Sequence, residues 1–239
     1  MKPLAVIVPS MNRPAQLARL AGSFRDTVAG IDGTDLVVVL DQPYRHLYTE
    51  SIPWWVHVYA HPAAEAQPTT VKVNWAARKL MDGYRYLMFC GDDHTCGTPG
   101  WNNILLGAVE AMGGTGIVYP KTERLPDLPE VWVESSDLVR ALGWLALPVV
   151  RHYFIDNGAK DIGQAIGRYA YVPEAVLPHH HWSMPAGMEP RAERDECYDR
   201  AVSWFPADKL AYWLWRDGPG LVQAAAAAQK VVDDSTIPG

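Results

Sequence analysis

Cysteine, phenylalanine and net positive charge are scarce in this chain of 239 residues. The three cysteines, Cys90, Cys96 and Cys197, are odd in number and show no C-x-x-C spacing. This pattern argues against a disulfide framework or a cysteine-based zinc site and favours a reducing compartment. With 21 Lys and Arg against 27 Asp and Glu, the net charge is −6. The whole protein therefore has no basic field that would hold nucleic acid or an anionic membrane.

The glycine-rich loops of common nucleotide-binding folds are also missing. No G-x-G-x-x-G follows the first apolar run, and neither G-K-[ST] nor G-x-S-x-G occurs. These absences count against a dinucleotide dehydrogenase, a P-loop NTPase and a serine hydrolase. No stretch approaches the roughly 20 apolar residues that cross a bilayer, and the first apolar run is too short for a signal peptide. We therefore expect a soluble, cytoplasmic protein without a membrane partner.

Hydrophobic residues make up 49% of the chain, enough for the core of one α/β domain of enzyme size. Apolar runs of strand length at 4–8 and 36–40 flank a segment of helical spacing that begins at Pro14, which predicts a parallel sheet covered on both faces. Residues 191–239 are predicted to be helical and to cover the same domain, with Leu210, Trp213 and Leu214 as an apolar stripe. Further strands are predicted at 55–59, 86–89, 116–119 and 169–176, and further helices at 69–81, 101–112, 137–142 and 156–166.

Polar side chains concentrate where these strands end, and ligands of open α/β sheets bind at the carboxyl ends of the strands. The segments are Pro9-Ser10-Met11-Asn12-Arg13, Asp41, Gly91-Asp92-Asp93-His94 and His179-His180-His181. Adjacent carboxylates such as Asp92 and Asp93 repel each other unless a cation lies between them; the alternative is a solvated acidic turn. Carboxylate with imidazole suits Mn²⁺ or Mg²⁺. In an extended segment only His179 and His181 share a face.

The order and spacing of these segments resemble the GT-A nucleotide-diphospho-sugar glycosyltransferases. The shared features are a strand ending in Pro-Ser-x-x-Arg, a second strand ending in Asp and an acidic xDD turn. A closer resemblance, over roughly residues 4–215, is to the short family-2-like glycosyltransferases common in bacteriophage genomes. It is carried by the blocks GDDH at 91–94 with TPGW at 98–101, SDLVRALG at 136–143, RHYFIDN at 151–157, and HHH at 179–181 with a downstream Asp195-x-x-Tyr198.

The resemblance implies a GT-A domain at 1–190, with 191–239 as a helical C-terminal extension packed on it. It implies that the donor, a nucleotide-diphosphate sugar, is held by six residues. Pro9, Ser10 and Arg13 would contact the nucleoside and diphosphate, and Asp41 would bond the base, usually uracil. Asn74 would help to hold the donor and Asp92 would lie near the ribose.

The resemblance also implies a site for Mn²⁺ or Mg²⁺ and a general base. Asp93 would ligate the metal, and His181, or as the second choice His179, would complete the site. An inverting transfer needs a carboxylate that takes the proton of the acceptor hydroxyl. Asp156, at the predicted start of a helix, is preferred for this role, and Asp161, one turn later, is the alternative. Helix capping would explain either residue without catalysis.

We therefore expect a metal-dependent, inverting glycosyltransferase that moves a sugar, with a UDP-sugar as the favoured donor, to a hydroxyl acceptor. Phage relatives suggest hydroxymethyl-pyrimidine in DNA, or a hydroxyl on a virion protein or glycan, and a location in the host cytoplasm. Trp54, Trp55 and Trp182 are candidates for the rim of the sugar or acceptor site. The alternatives are a nucleotidyltransferase, which would usually carry a glycine-rich loop after the first strand, and a non-catalytic nucleotide-sugar binder, which needs no base.

Overall fold

The structure, a computed structural model, describes residues 1–235. The chain alternates between strands and helices over most of this length, which is the order that the apolar runs predicted. In chain order the elements are β1 (Lys2–Ser10), α1 (Pro14–Thr27), β2 (Thr34–Asp41), β3 (His57–His61), α2 (Thr69–Leu80), β4 (Tyr84–Phe89), α3 (Trp101–Ala111), β5 (Ile117–Lys121), β6 (Trp132–Ser135), α4 (Ser136–Leu142), α5 (Ile155–Ala165), β7 (Tyr169–Val176), α6 (Glu196–Asp217) and α7 (Pro219–Ser235). Short 3₁₀ helices occur at Ile31–Gly33 and Gln42–Tyr48.

The strands form one sheet in the order β3-β2-β1-β4-β6-β5-β7. β1 lies between β2 and β4, and its Val6 is opposite Leu36 on one side and Met88 on the other. Pairing is parallel except around β6, which runs antiparallel to both β4 and β5. The predicted mostly parallel α/β sheet with C-terminal helices is confirmed, although β6 was not foreseen.

The sheet is covered on both faces, and this explains the unbroken apolar sequence of its central strands. In β1, Leu4, Val6 and Val8 pack toward α1 and α3, whereas Ala5 and Ile7 pack toward α2, α4 and α5. Successive side chains of a strand point to opposite faces, so a strand covered on both sides is apolar throughout. Only the carboxyl ends of the strands are left free to present polar residues.

The C-terminal helices pack on the face of the sheet that carries α2. Tyr212 of α6 and Ala228 and Val232 of α7 belong to the core on that face. The prediction that the apolar stripe of α6 covers the domain is wrong, because Trp213 is 39% exposed and Leu214 is 68% exposed. The boundary between 190 and 191 stays a prediction, and residues 236–239 of the extension lie outside the described residues. Over residues 1–235, no helix is both long and apolar enough to cross a membrane.

Candidate active site

A cavity of about 440 Å³ opens at the carboxyl ends of the strands. Its walls come from the loops after β1, β4, β5 and β7, the first turns of α2 and α5, and helix α6, so segments far apart in sequence meet there. Of the predicted site residues, those that line it are Pro9, Arg13, Asp92, Asp93, Asp156, His179 and His181. Since strands of a parallel sheet all end at one edge, this convergence follows from the topology.

Asp93, His94 and His179 form a cluster whose ligand atoms all lie within 4.8 Å of one another. The Asp93 carboxylate is 3.3 Å from His94 Nδ1 and 3.3 Å from His179 Nε2. A backbone bridge between His94 and His179 brings the two segments together, and His180 N–H donates to the Asp93 carbonyl at 2.8 Å. The bridge places the two imidazole rings in a stack with centroids 4.0 Å apart. His94 belongs to the acidic turn identified in the sequence, but no role was predicted for it.

The cluster has the donors that a divalent cation requires. Both ring nitrogens of His94 are buried; Nδ1 faces Asp93 Oδ1 at 3.3 Å, and Nε2 makes no hydrogen bond within the described residues. Unpaired buried polar atoms are rare in folded proteins, so this ring has ligand capacity to spare. Gly91 makes room for the cluster, because a Cβ at that position would lie 2.7 Å from Asp93 Oδ1. One carboxylate with two imidazoles fits Mn²⁺ better than Mg²⁺, which prefers oxygen ligands.

Glu130, which sequence reasoning missed, holds the outer nitrogen of His179. The His179 Nδ1 atom lies 2.9 Å from Glu130 Oε1, and Thr122 Oγ1 donates to the other oxygen at 2.7 Å. Burial alone would lower the pKa of His179, but Asp93 and Glu130 outweigh it and raise the pKa to about 9. Burial likewise opposes ionisation of Glu130, yet the contact with His179 leaves its pKa at about 2. A carboxylate behind a ligating histidine fixes the orientation of the ring.

His181 lies beside the cluster rather than inside it. Its Nδ1 accepts a hydrogen bond from Ser183 N–H at 3.0 Å, and its ring centroid is 5.0 Å from that of His179. Burial lowers the pKa of His181 to about 4, so the ring is neutral at pH 7. While Nδ1 accepts from Ser183 N–H, the ring proton is on Nε2; Nε2 is free of a proton in the other tautomer, in which Nδ1 donates to the Ser183 carbonyl at 3.0 Å. The structure thus brings Asp93 together with His179 and His94, while ligation by His181 stays a prediction.

Arg13 is the centre of a buried ion-pair network in the wall of the cavity. Its guanidinium donates to Asp195 at 2.7 and 2.8 Å and to Asp92 at 3.2 Å. Burial opposes the charge on Arg13, but Asp92 and the other carboxylates outweigh this and raise its pKa. The guanidinium also stacks 3.9 Å from the centroid of Tyr198, whose hydroxyl donates to Asp93 at 2.8 Å. The first turn of α6 therefore closes this part of the site.

Ser10 and Asp92 lie side by side beneath Arg13. Ser10 Oγ donates to Asp92 Oδ2 at 2.6 Å. Burial raises the pKa of Asp92 even though Arg13 acts in the opposite direction. By contrast, burial fails to keep Asp93 protonated, because His179 holds its pKa well below the usual range. The pKa values of the two adjacent carboxyl groups are thus shifted in opposite directions, upward for Asp92 and downward for Asp93. This difference lowers the repulsion between them and lets the turn accommodate both.

Three predicted donor residues, Ser10, Asp41 and Asn74, are not among the residues that line the cavity. Asp41 is buried, with Lys72 Nζ at 2.6 Å and the Gln67 N–H at 2.7 Å. Asn74 is bound to the backbone of residues 145–146, accepting from two N–H groups at 2.9 Å and donating to the Ala146 carbonyl at 2.7 Å. Lys72 itself lines the cavity. Asp41 is therefore connected to the cavity by its ion pair with Lys72. Direct contacts of Asp41 and Asn74 with the donor stay predictions.

The two candidate bases lie on different sides of α5. Asp156 is in the first turn and lines the cavity. Burial raises its pKa from 3.8 to about 6, although its own bond from Asn157 N–H acts in the opposite direction. Asp161 accepts the Tyr212 hydroxyl at 2.7 Å and faces Arg216 at 3.3 Å, outside the cavity. Of the two, only Asp156 is placed where it could reach a bound acceptor.

Aromatic rings line two parts of the cavity: Tyr153 and Phe205 pack on each other at a centroid distance of 5.0 Å, whereas Trp182 lies beside His181 and Tyr198. Trp182, Tyr153 and Phe205 are among its walls. Trp54 is 91% exposed and lies outside the cavity, and Trp55 stacks on Phe24 at 5.8 Å. Trp182 is therefore the one of the three predicted rim tryptophans that the structure brings to the site.

Comparison with known proteins supports the fold. No family model matches the sequence, and no curated protein shows significant similarity to it. The structure is similar to residues 1–349 of Staphylococcus aureus TarS in complex with UDP, with a TM-score of 0.57 and 12% identity over 74% of this chain and 60% of that one. It is also similar to the mannosyltransferase PcManGT from Pyrobaculum calidifontis in complex with GDP-Man and Mn²⁺, with a TM-score of 0.56 and 15% identity over 100% of this chain and 77% of that one.

These similarities confirm the expected GT-A-type architecture at the level of the fold. The chain spans 60% of the length of the TarS fragment. At 12% and 15% identity the likeness carries the fold and not the activity. Function has to be argued from the residues of the cavity.

Proposed function

We propose that this protein is a metal-dependent, inverting glycosyltransferase that transfers a sugar from a nucleotide diphosphate to a hydroxyl acceptor. One observation carries the proposal: the cluster of Asp93, His94 and His179 and the desolvated carboxylate of Asp156 line the same cavity. A cation site and a base in one cavity are what a displacement of a diphosphate by a hydroxyl needs. The ligands of the similar structures, the nucleoside diphosphate UDP and the nucleotide sugar GDP-Man, are consistent with this class of donor.

The donor end of the cavity is suited to a diphosphate. Asp93, His94 and His179 would hold Mn²⁺, which when bound supplies positive charge to the departing diphosphate. Arg13 and Lys72 line the same region, and each can donate to phosphate oxygens. Each is also paired with carboxylates of the protein, Arg13 with Asp195 and Lys72 with Asp41. We favour a UDP-sugar as the donor, following the resemblance of the sequence motifs.

Asp156 has the properties of the general base. Because its pKa is about 6, the carboxylate is ionised at pH 7 and yet more basic than an ordinary aspartate. In the proposed step the acceptor oxygen forms a bond to the anomeric carbon while the bond from that carbon to the diphosphate oxygen breaks. The acceptor proton passes to Asp156, and the bonding electrons leave with the nucleoside diphosphate. A single displacement of this kind inverts the anomeric centre.

Donor binding tests the first half of the proposal. Melting temperatures are measured with Mn²⁺, UDP-glucose, UDP-N-acetylglucosamine and GDP-mannose, alone and in combination. A matching donor at about 100 times its Kd contributes about 2.7 kcal/mol, which corresponds to a rise of roughly 5–10 °C. The rise is expected to require Mn²⁺ and to vanish in Asp93→Asn, but to persist in the control Asp217→Asn, an exposed carboxylate of α6. If no donor changes the melting temperature, the proposal fails.

The acceptor that we propose is a hydroxymethyl-pyrimidine in DNA, as the phage-type resemblance suggests. Trp182, Tyr153 and Phe205 support this choice, because their rings offer faces on which a flipped planar base could stack. The protein is incubated with donor, Mn²⁺ and hydroxymethylated DNA, and the nucleosides are then analysed by mass spectrometry. A glycosylated nucleoside is expected with modified but not with unmodified DNA. Transfer to a protein or glycan hydroxyl instead would assign the other acceptor class.

The same assays separate the remaining alternatives. A nucleotidyltransferase, when given a nucleoside triphosphate together with a sugar phosphate, would release pyrophosphate from the triphosphate. A non-catalytic binder would be stabilised by the donor without turning it over in either wild type or Asp156→Asn, whereas the proposed enzyme would turn the donor over as wild type and lose this turnover in Asp156→Asn.

A further inference from the structure

A carboxylate from the C-terminal helix α6 holds the loop that leads to Asp156. The side chain of Asp208 is only 2% exposed. Its Oδ1 accepts the N–H of Arg151 at 2.9 Å, and its Oδ2 accepts those of His152 at 2.9 Å and Tyr153 at 3.0 Å. Three consecutive backbone donors thus converge on one carboxylate. Within residues 1–235 Asp208 forms no ion pair with a basic side chain, so the hydrogen bonds from these N–H groups stabilise its buried carboxylate.

The loop is also held from the opposite side, by α2. Thr70 N–H donates to the Arg151 carbonyl at 3.2 Å, and Thr70 Oγ1 donates to the Val150 carbonyl at 2.8 Å. Thr69 Oγ1 lies 2.8 Å from His152 Nδ1. Helix α2 therefore binds the carbonyl groups of the loop, and α6 binds its N–H groups. The backbone of Val150 to Tyr153 is therefore held by hydrogen bonds from two helices on opposite sides.

The loop is held in a conformation that it would not adopt by itself. Phe154, the residue that caps α5, has φ +68°, a left-handed value that is disfavoured for a bulky side chain. Its ring stacks on Tyr212 at a centroid distance of 4.9 Å and packs against Phe205 at 5.7 Å, both on α6. Asp156 follows two residues later. The direction in which α5 begins, and with it the position of the Asp156 carboxylate, depends on this turn.

We propose that Asp208 is a positioning residue for Asp156. It fixes the 151–153 backbone so that Phe154 keeps its left-handed turn and the first turn of α5 presents Asp156 to the acceptor. The proposal rests on the proposed function, in which Asp156 is the base. It also makes α6 part of the catalytic apparatus rather than a cover for the domain, since the same helix contributes Tyr198 at the other end of the cavity.

The test compares two α6 variants in the hydrolysis of UDP-glucose with Mn²⁺, where water takes the place of the acceptor. Asp208→Asn keeps the size of the side chain but puts an NH₂ group against at least one backbone N–H. The matched control Tyr212→Phe removes the α6 hydroxyl that bonds to α5 and keeps the ring that supports Phe154. A displacement of a base by about 1 Å lowers turnover roughly 100-fold. We expect kcat of Asp208→Asn to fall roughly 10- to 100-fold with the KM for UDP-glucose unchanged, and Tyr212→Phe to resemble wild type.

The split between kcat and KM distinguishes positioning from a general loss of structure. If Asp208→Asn retains the wild-type kcat, or loses kcat and donor affinity in parallel with Tyr212→Phe, the proposal is overturned. Failure of the wild type to bind or hydrolyse any donor would count against the proposed function instead.

Amide hydrogen exchange on the wild-type protein tests the loop itself and needs neither turnover nor a folded variant. The N–H groups of 151–153 are expected to exchange as slowly as those of β1 and β4, although they belong to no helix or strand. Rapid exchange at these three residues would overturn the proposal, whatever the assays show.

Discussion

Replacing Asp156 with asparagine should abolish turnover and stabilise the protein, and the stabilisation should depend on pH. Burial raises the pKa of Asp156 from 3.8 to about 6. A shift of about 2 units corresponds to roughly 3 kcal/mol, and we take about 2 kcal/mol because the carboxylate faces a cavity that water can enter. Since the folded-state pKa lies above the unfolded value, the neutral acid is accommodated without cost below about pH 4. The folded state then loses stability as the pH rises from about 4 to about 6, and the loss is complete above that.

Asparagine carries no charge, so it removes this loss. Asp156→Asn should melt about 4–8 °C above wild type at pH 8 and at the same temperature as wild type at pH 4. Hydrolysis of a nucleotide sugar by wild type should rise with pH through about 6, as Asp156 ionises, and should fall by about 10²- to 10⁴-fold in the variant. Donor-dependent stabilisation should be retained, since within the described residues no hydrogen bond or ion pair joins Asp156 to Asp93, His94 or His179.

The comparison variant is Asp161→Asn, which removes a carboxylate from the same helix outside the cavity. It breaks the contacts with Tyr212 and Arg216, so it should lower the melting temperature at pH 8 rather than raise it. Full turnover in Asp156→Asn together with its loss in Asp161→Asn would assign the base to Asp161. An equal change in melting temperature at pH 4 and pH 8 would refute the desolvation of Asp156.

Three further predictions concern the cation site. Glu130→Gln removes the negative charge behind His179, so Mn²⁺ affinity measured by calorimetry should fall roughly 10- to 100-fold; wild-type affinity would show that Glu130 does not orient the ring. Gly91→Ala places a Cβ 2.7 Å from Asp93 Oδ1. The variant should be less stable than wild type by about 1–3 kcal/mol, and Mn²⁺ should no longer raise its melting temperature. An unchanged Mn²⁺ response would contradict this. Tyr198→Phe leaves the ring on Arg13 but removes the hydrogen bond to Asp93, so urea unfolding should show a loss of about 1–3 kcal/mol; a loss no larger than that of an exposed Tyr→Phe change would mean that the bond contributes nothing.

The sequence predicted the architecture because each strand of a sheet covered on both faces is a short apolar run, which neighbouring residues are enough to identify. The strand predicted at 169–176 is β7, Tyr169–Val176, and the helix predicted at 69–81 is α2, Thr69–Leu80. β6 was missed because it has only four residues and includes Glu134, a buried carboxyl whose pKa burial raises well above its usual range. The stripe on α6 was misread because apolar periodicity shows which residues share a face of a helix and not whether that face is covered.

For the site, the sequence by itself indicated the loops after β1, β4 and β7, since a parallel sheet brings its strand ends to one edge, but not the loop after β5. It also supplied the acidic turn, the histidines and Asp156. Only the tertiary structure decided which of these side chains meet. The bridge between His94 and His179 forms between segments about 85 residues apart. Glu130 contacts His179 from an irregular loop. The side chain of Asn74 makes its hydrogen bonds with the backbone at 145–146. Such contacts depend on distances across the fold, and no periodicity or spacing along the chain records them.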